Sequence, residues 1–210
     1  MNDPSHPRPA AQEDALLVAL LPGVRSGDPE ALDRWYRREW PTVYRLCFGL
    51  LGDPGAADDA AQDAMLRLSD TLGGFDVSRS YAAWRTTVVL NLCRDRQRQV
   101  AARTRAEESA GERFYRAASP HPEVEAQHSE LCAALEVALV RLTEREREAF
   151  VLFDLEGLDA ATASETMGIG QSSLRSLLAL ARRRLRGLLE AHMPALTATG
   201  SNPRGNEVPS

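Results

Sequence analysis

The sequence predicts an all-α protein of two small helical domains joined by a flexible linker. Three observations carry that prediction. Apolar residues recur at helical spacing in nearly every segment. Leu and Ala dominate, and β-branched runs are nearly absent apart from Val88 and Val89. Between residues 100 and 129 the periodicity fades, and a stretch of roughly 30 residues is too long for a loop inside a compact domain.

The elements follow in order. Residues 1–12 hold three prolines and little apolar content, and are expected to be a disordered tail. Asp14 to Val24 is a short amphipathic helix ending at or just after Pro22-Gly23. Asp28-Pro29-Glu30 starts the next helix with an N-cap, a proline at the first position and an acid in the first turn. Leu32, Trp35, Tyr36, Val43, Cys47 and Leu50 continue its apolar face, and Pro41 is expected to kink or split it. Gly52-Asp53-Pro54-Gly55 is a stop. Ala56 to Leu72 follows, buried through Ala57, Ala61, Met65, Leu68 and Leu72. Gly73-Gly74 breaks the chain, and Phe75 to Ser80 is a loop ending in a Ser cap. In the helix Tyr81 to Gln99, Trp84, Val88 and Leu92 can face inward. These elements make a first domain over 13–99 and leave 100–129 as linker.

The second domain spans 130–192. A helix from Glu130 to Leu142 precedes Thr143-Glu144-Arg145-Glu146, which reads as a cap and first turn. Phe150, Val151 and Leu155 carry the next helix to Gly157. Then come a short helix, the turn Met167-Gly168-Ile169-Gly170, and a longer helix from Gln171. Leu174, Leu178, Ala181, Leu185, Leu188 and Leu189 form its buried stripe. Arg175, Arg182, Arg183 and Arg186 face away, with no acid between Gln171 and Arg186. Two helices, a glycine turn and a polar start to the second helix are what a helix-turn-helix needs; a helical hairpin with a solvated Arg face is the plainer alternative. Residues 193–210 are expected to be a second disordered tail.

Composition limits the function. Net charge is −5, so affinity for nucleic acid must rest on local basic faces. Every basic residue is Arg. Cys47, Cys93 and Cys132 are far apart, and no signal peptide is visible, as in a reduced cytoplasmic chain. No apolar run approaches the ~20 residues of a membrane span, so no membrane insertion is expected. A Gly-rich phosphate loop, HExxH and paired Cys motifs are missing, so neither an enzyme nor a cofactor is expected. His128 and Cys132 make half a metal site at most, and no metal is expected.

Two faces carry candidate binding chemistry. On the helix after Tyr81, Thr87, Asn91, Arg94 and Arg98 share a face with Trp84 at its edge. Arg neutralises phosphates and an aromatic ring can stack on an unpaired base; a core Trp beside a solvated Arg face is the alternative. On the helix before it, the acids Asp58, Asp59 and Asp63 suit the dipole, and Leu66 is expected exposed beside Asp59, Gln62 and Asp63, either as a docking patch or as a lone surface Leu.

The order of these pieces resembles the extracytoplasmic-function group of bacterial sigma-70 factors over roughly residues 12 to 190. Asp53-Pro54, Ala57-Asp58-Asp59, Gln62-Asp63 and Leu66 are similar to region 2. So are Tyr81-Ala82-Ala83-Trp84 and Asn91, Asp95 and Arg98. Leu142-Thr143 and Arg147, Leu155-Glu156-Gly157-Leu158, Met167-Gly168-Ile169, Ser173-Leu174-Arg175-Ser176, Ala181-Arg182 and Leu185 are similar to region 4. The resemblance implies a factor that binds core RNA polymerase and directs promoter-specific initiation. It implies that Asp58, Asp59, Gln62, Asp63 and Leu66 dock on the polymerase. It places Phe75, Ser80, Tyr81, Trp84, Thr87, Asn91, Arg94 and Arg98 on the melted −10 element. It places Arg147, Gln171, Ser172, Ser173, Arg175, Ser176 and Arg182 on the −35 element, with Arg147 and Arg182 on phosphates. An anti-sigma partner is also implied.

The chain departs from the family in places. Thr162-Ala163-Ser164 stands where Glu-Ile-Ala is usual. Leu177 and Leu180 stand where Arg is usual, which weakens −35 contacts and leaves room for a protein partner. Arg85 replaces Leu, and Val89 and Leu90 replace Ala and a polar residue. Two alternatives therefore stay open: a DNA-binding regulator that works without polymerase, and a sigma-like protein-interaction module.

Overall fold

In a computed structural model, residues 9–109, 135 and 137–192 are described. The described residues contain helices and no strand. They are α1 (Pro9–Arg25), α2 (Pro29–Leu51), α3 (Pro54–Thr71), α4 (Tyr81–Ser109), α5 (Glu144–Phe150), α6 (Ala160–Met167) and α7 (Gln171–His192). A helical stretch at 137–140 precedes α5. His128, Cys132 and the C-terminal tail lie outside the described residues.

Most stops and starts have the expected chemistry. Asp28 Oδ1 accepts from the Glu30 amide at 3.0 Å and opens α2 ahead of Pro29. Gly52 takes φ 72°, and its N–H donates to the Phe48 carbonyl at 2.8 Å. A Cβ there would be strained. Asp53 then caps α3 through the Ala56 amide at 2.7 Å. Ser80 Oγ accepts from the Ala83 amide at 3.2 Å at the start of α4. Thr143 and Glu146 form a reciprocal capping box on α5. Asp159 caps α6, and Gly168, at φ 67°, ends it.

Several expectations need correction. Helix α1 begins at Pro9, inside the stretch read as a tail; proline is well tolerated in a first helical turn, where its missing N–H goes unused. Helix α2 is not split at Pro41. The proline is exposed, while Trp35, Glu39, Val43, Leu46, Cys47 and Leu50 bury the opposite side and hold the helix together. Helix α4 continues to Ser109, ten residues past Gln99, through an Arg- and Ala-rich stretch that is exposed over residues 100–106. Its inner face also differs. Leu92 is buried, but Trp84 and Val88 are half-buried, and the core side is Tyr81, Arg85, Thr86, Val89, Leu90 and Cys93. A buried Arg rotated that face away from the purely apolar reading.

After α5 the backbone widens into a π-turn over Val151–Leu155. The extra residue per turn shifts register. Val151 and Leu152 are buried, while Leu155, expected on the apolar face, is exposed. The stripe of α7 is as expected: Leu174, Leu178, Ala181 and Leu185 are buried.

The two halves share apolar packing. Ala149, Val151, Leu152, Leu158, Ala163, Met167, Leu174 and Leu178 belong to the same cluster as Trp35, Leu46, Leu50 and Leu90. Gly49 makes one close approach possible, since a Cβ there would lie 3.0 Å from a Val151 methyl. A smaller cluster of Ala138, Leu139, Leu142, Ala181 and Leu185 closes the far side of α7.

Candidate nucleic-acid interface

Three surfaces hold the residues singled out by sequence. The first is the outer face of α3. Ala57, Ala60, Ala61, Ala64, Met65 and Leu68 bury its inner side, which forces Asp59, Gln62, Asp63 and Leu66 outward. Leu66 is 66% exposed, the most exposed of the large apolar side chains among the described residues. Gln62 Nε2 donates to Asp58 at 2.9 Å, and Asp63 accepts from Arg96 of α4 at 2.5 Å. Asp59 and Asp63 also line a groove of about 970 Å³ between α3 and α4, with Arg67, Arg96 and Arg147 on its walls.

The second surface is α4 and the loop before it. Phe75 and Tyr81 are buried and pack edge to face at 5.5 Å. The half-buried Trp84 leans on both, at 4.9 Å and 5.4 Å. Tyr81 is anchored from below, because its hydroxyl accepts from Trp35 Nε1 at 2.9 Å. Burial and the neighbouring Glu39 carboxylate push that hydroxyl's pKa up. Trp84 is therefore the ring of this cluster that reaches the surface. Ser80 is exposed and spends its side chain on the helix cap. Thr87 Oγ1 donates to the Ala83 carbonyl at 2.7 Å. Asn91 and Arg98 are exposed, with Arg98 paired to Asp95 one turn back. Arg94, on the same face, is engaged elsewhere. Its Nε and Nη2 meet the two oxygens of Glu148 at 2.7 Å and 2.8 Å, and Nη2 also donates to the Met167 carbonyl at 3.3 Å.

The third surface is α7. Gln171, Ser172, Ser173, Arg175 and Ser176 are all exposed at its start, directly after the α6 turn. Leu180 is exposed on the same helix, whereas Leu177 is half-buried against the shared core. Leu177 is thus a packing residue here. Arg182 is paired with Asp154 at 2.6 Å and 2.9 Å and lies over the Phe153 ring. Arg147 is buried beside Gly52 and Val140, and among the described residues its Nε has no hydrogen-bond partner. Burial lowers its pKa.

Sequence reasoning missed a buried ionic cluster beneath these surfaces. Arg85 reaches Glu156 at 3.2 Å, Asp14 at 3.4 Å and Glu39 at 3.7 Å. Three carboxylates around one guanidinium, out of water, leave an excess of negative charge. Desolvation pushes Glu39 up to about 7; the Arg85 charge and the Tyr81 hydroxyl pull it down, and Asp14 and Glu156 add to the rise. No hydrogen bond of normal geometry reaches either Glu39 oxygen among the described residues. The clue was available: Trp35, Glu39 and Val43 lie four apart, so an acid sits on an apolar stripe. Arg85, already out of place for the family, was its partner.

Among the described residues no helix is long and apolar enough to cross a membrane, and no group of three or more metal-ligating side chains converges.

Comparisons with known proteins agree with the fold. The chain matches the family description Sigma-70 region 2 over residues 35–104 and Sigma-70, region 4 over 132–185. It is 32% identical to the ECF RNA polymerase sigma factor SigM of Mycobacterium tuberculosis, across 81% of this chain and 83% of that one. It is 31% identical to the ECF RNA polymerase sigma factor BldN of Streptomyces coelicolor, across 88% of this chain and 70% of that one. The sigma factor RpoE of Bartonella quintana, solved with the anti-sigma factor NepR, has a similar fold. Its TM-score is 0.62 at 23% identity, over 75% of this chain and 96% of that one. CnrH, solved with the cytosolic domain of CnrY, gives 0.55 at 23% identity over 85% and 98%. With both regions matched in order and relatives above 30% identity along most of their length, the chain belongs to the extracytoplasmic-function sigma factors of the sigma-70 family.

Proposed function

We propose that this sigma factor docks on core RNA polymerase through Asp58, Asp59, Gln62, Asp63 and Leu66, and divides promoter recognition between α4 and α7. The observation that carries the reading is the exposure of two faces: Asp59, Gln62, Asp63 and Leu66 on α3, and Gln171 to Ser173 with Arg175 and Ser176 on α7. An apolar side chain among polar ones suits a protein partner. Exposed Gln, Ser and Arg at a helix start suit base edges in the major groove.

On α4, Trp84, Thr87, Asn91 and Arg98 are the surface groups for the melted −10 strand, with Arg94 among them once it is released. Phe75, Tyr81 and Ser80 shape that surface from below. Arg175 is the principal −35 contact. Arg182 and Arg147 would have to give up an ion pair and a buried site to reach phosphate. The chain works in the cytoplasm, with an anti-sigma factor as a further partner, as RpoE has in its complex with the anti-sigma factor NepR. Exposed Leu180 offers such a partner an apolar contact beside the recognition turn.

Run-off transcription with core polymerase tests the assignment. Asp59→Ala with Leu66→Ala is expected to weaken core binding at least about tenfold while leaving helical content unchanged. Unchanged binding would remove α3 from the docking role. Arg175→Ala is expected to change −35 preference by about 1–3 kcal/mol at one position. An unaltered preference would show that α7 is not the reader.

A further inference from the structure

Arg25 closes α1 and reaches out of it. Its Nε donates to the Leu72 carbonyl at 3.2 Å. Its Nη2 donates to the same carbonyl at 3.1 Å and also to the Phe75 carbonyl. One guanidinium thus joins the end of α1 to a turn 47 and 50 residues further along the chain. The two carbonyls lie where α3 runs out through a short 3₁₀ turn, Leu72–Gly74, and the backbone becomes extended at Phe75. The last carbonyls of a helix have no partner inside it. A cation beside them is favoured by the helix dipole and makes charge-assisted hydrogen bonds. That much makes Arg25 a stabilising cap.

What lies between the two carbonyls gives it more to do. Gly73-Gly74 links them, and a Cβ at either glycine would meet nothing within 4 Å. The link is therefore held by no packing of its own. Beyond it the loop is braced locally. Asp76 Oδ1 accepts from the Ser78 amide at 2.9 Å, the Asp76 carbonyl accepts from the Arg79 amide at 3.0 Å, and Ser80 caps α4. A stiff turn follows an unpacked link, and Arg25 spans the link. On the far side stands the Phe75 ring, against Tyr81 and Trp84. Trp84 thus leans on two rings fastened from different helices. Trp35 of α2 holds the Tyr81 hydroxyl, and Arg25 of α1 holds the Phe75 backbone.

We propose that Arg25 is a positioning residue for recognition of the melted −10 strand. By clamping Leu72 and Phe75 it fixes the loop at 75–80 and, through the Phe75 ring, the tilt of Trp84 before DNA arrives. Stacking alone tolerates any base, since every base has a π-face. Discrimination needs the ring and the loop beside it at a fixed separation, so that a base of the wrong shape loses contacts. Arg25 supplies that fixed separation without touching DNA. Its role in recognition rests on the assignment of the loop and Trp84 to the −10 element; the clamp itself does not.

Amide hydrogen exchange of the full chain, read by mass spectrometry, tests the clamp. Arg25→Ala is expected to speed exchange in peptides covering 72–80 about tenfold, as loss of charge-assisted bonds to the backbone implies, with α7 unchanged. Unchanged exchange at 72–80 overturns the clamp. Transcription with core polymerase, on templates randomised at the −10 and −35 positions, tests the role. Arg25→Ala is expected to flatten the preference at one or more −10 positions about tenfold, while −35 preference and core affinity stay those of the parent. Gly73→Ala with Gly74→Ala stiffens the link from within, since both positions have room and neither takes a positive φ. Added to Arg25→Ala, the pair is expected to recover part of both losses. If Arg25→Ala loses helicity by circular dichroism, Arg25→Lys, which keeps the charge and gives up the fork, is measured in its place, with smaller changes in the same directions. Output that falls equally on all templates, with the −10 preference kept, would make Arg25 a stabilising cap alone and overturn the role. A parent chain without any −10 preference would overturn the −10 assignment and the role with it, and exchange at 72–80 would then judge the clamp alone.

Discussion

Glu39 is the residue whose protonation most clearly affects stability. It is fully buried, and its pKa rises from 4.5 to about 7. A carboxyl with a raised folded-state pKa binds its proton more tightly in the native chain than in the unfolded one. Its contribution is therefore fully present below the unfolded value and is lost as pH rises through about 7. Glu156 is shifted in the same direction by the same cause, burial, so it acts with the same sign. Glu39→Gln keeps the shape and removes the titration. The variant's unfolding free energy is expected to gain on the parent's by up to about 3 kcal/mol between about pH 4 and pH 8. Parallel pH curves from urea unfolding would refute this. Tyr81 gives a second prediction at this scale. Its hydroxyl is the acceptor for buried Trp35 Nε1. Tyr81→Phe leaves that N–H unpaired and should cost about 1–3 kcal/mol in the same measurement.

At the scale of the element, the ends of the helices are built by a few side chains. Asp28, Asp53, Thr143 and Asp159 each accept from backbone amides at a helix start. Thr143→Ala removes one half of the α5 capping box and should cost about 1 kcal/mol in thermal unfolding; Thr143→Asn should recover most of it. The caps at Asp28 and Thr143 were legible in the sequence because capping is local: the residue type and the few positions after it decide the outcome. The apolar stripe of α7 was legible for the same reason, since periodicity alone places Leu174, Leu178, Ala181 and Leu185 on one side. What was not legible depended on distant partners. Helix α4 turned Arg85 inward because Glu39 and Glu156 wait there from other segments. Pro41 left α2 unbroken because burial on the far side of the helix outweighed a missing hydrogen bond. The π-turn at Val151–Leu155 has no local signature, and it moved Leu155 from the expected core to the surface. The candidate surfaces divide in the same way. Leu66 and the start of α7 are exposed, as the helical pattern alone has them. The ion pairs of Arg94 and Arg182 and the burial of Arg147 follow from residues far away in sequence.

At the scale of the molecule, the two halves pack against each other through a shared apolar cluster and two part-buried ion pairs. Gly49 permits the closest approach, to Val151. A side chain at that position would wedge the halves apart, so Gly49→Leu is expected to cost about 1–3 kcal/mol. The same variant should show reduced energy transfer between dyes on α3 and α7, while far-ultraviolet circular dichroism stays constant. Specific pairing also explains how a chain with net charge −5 can present a basic face on α7. The acids Asp154, Glu146, Glu148 and Glu156 are directed at specific arginines, which leaves Arg175, Arg183 and Arg186 at the surface of α7. The exposed faces of α3 and α7 are expected to make this chain a working promoter-specificity factor for RNA polymerase. The most direct measurement is transcription from a genomic promoter library by core polymerase with the purified chain added. Discrete transcripts from a limited promoter set, lost with Asp59→Ala plus Leu66→Ala and redistributed by Arg175→Ala, are the predicted result. A chain that fails to bind core polymerase at micromolar concentration, or that binds and starts no transcript, would contradict it.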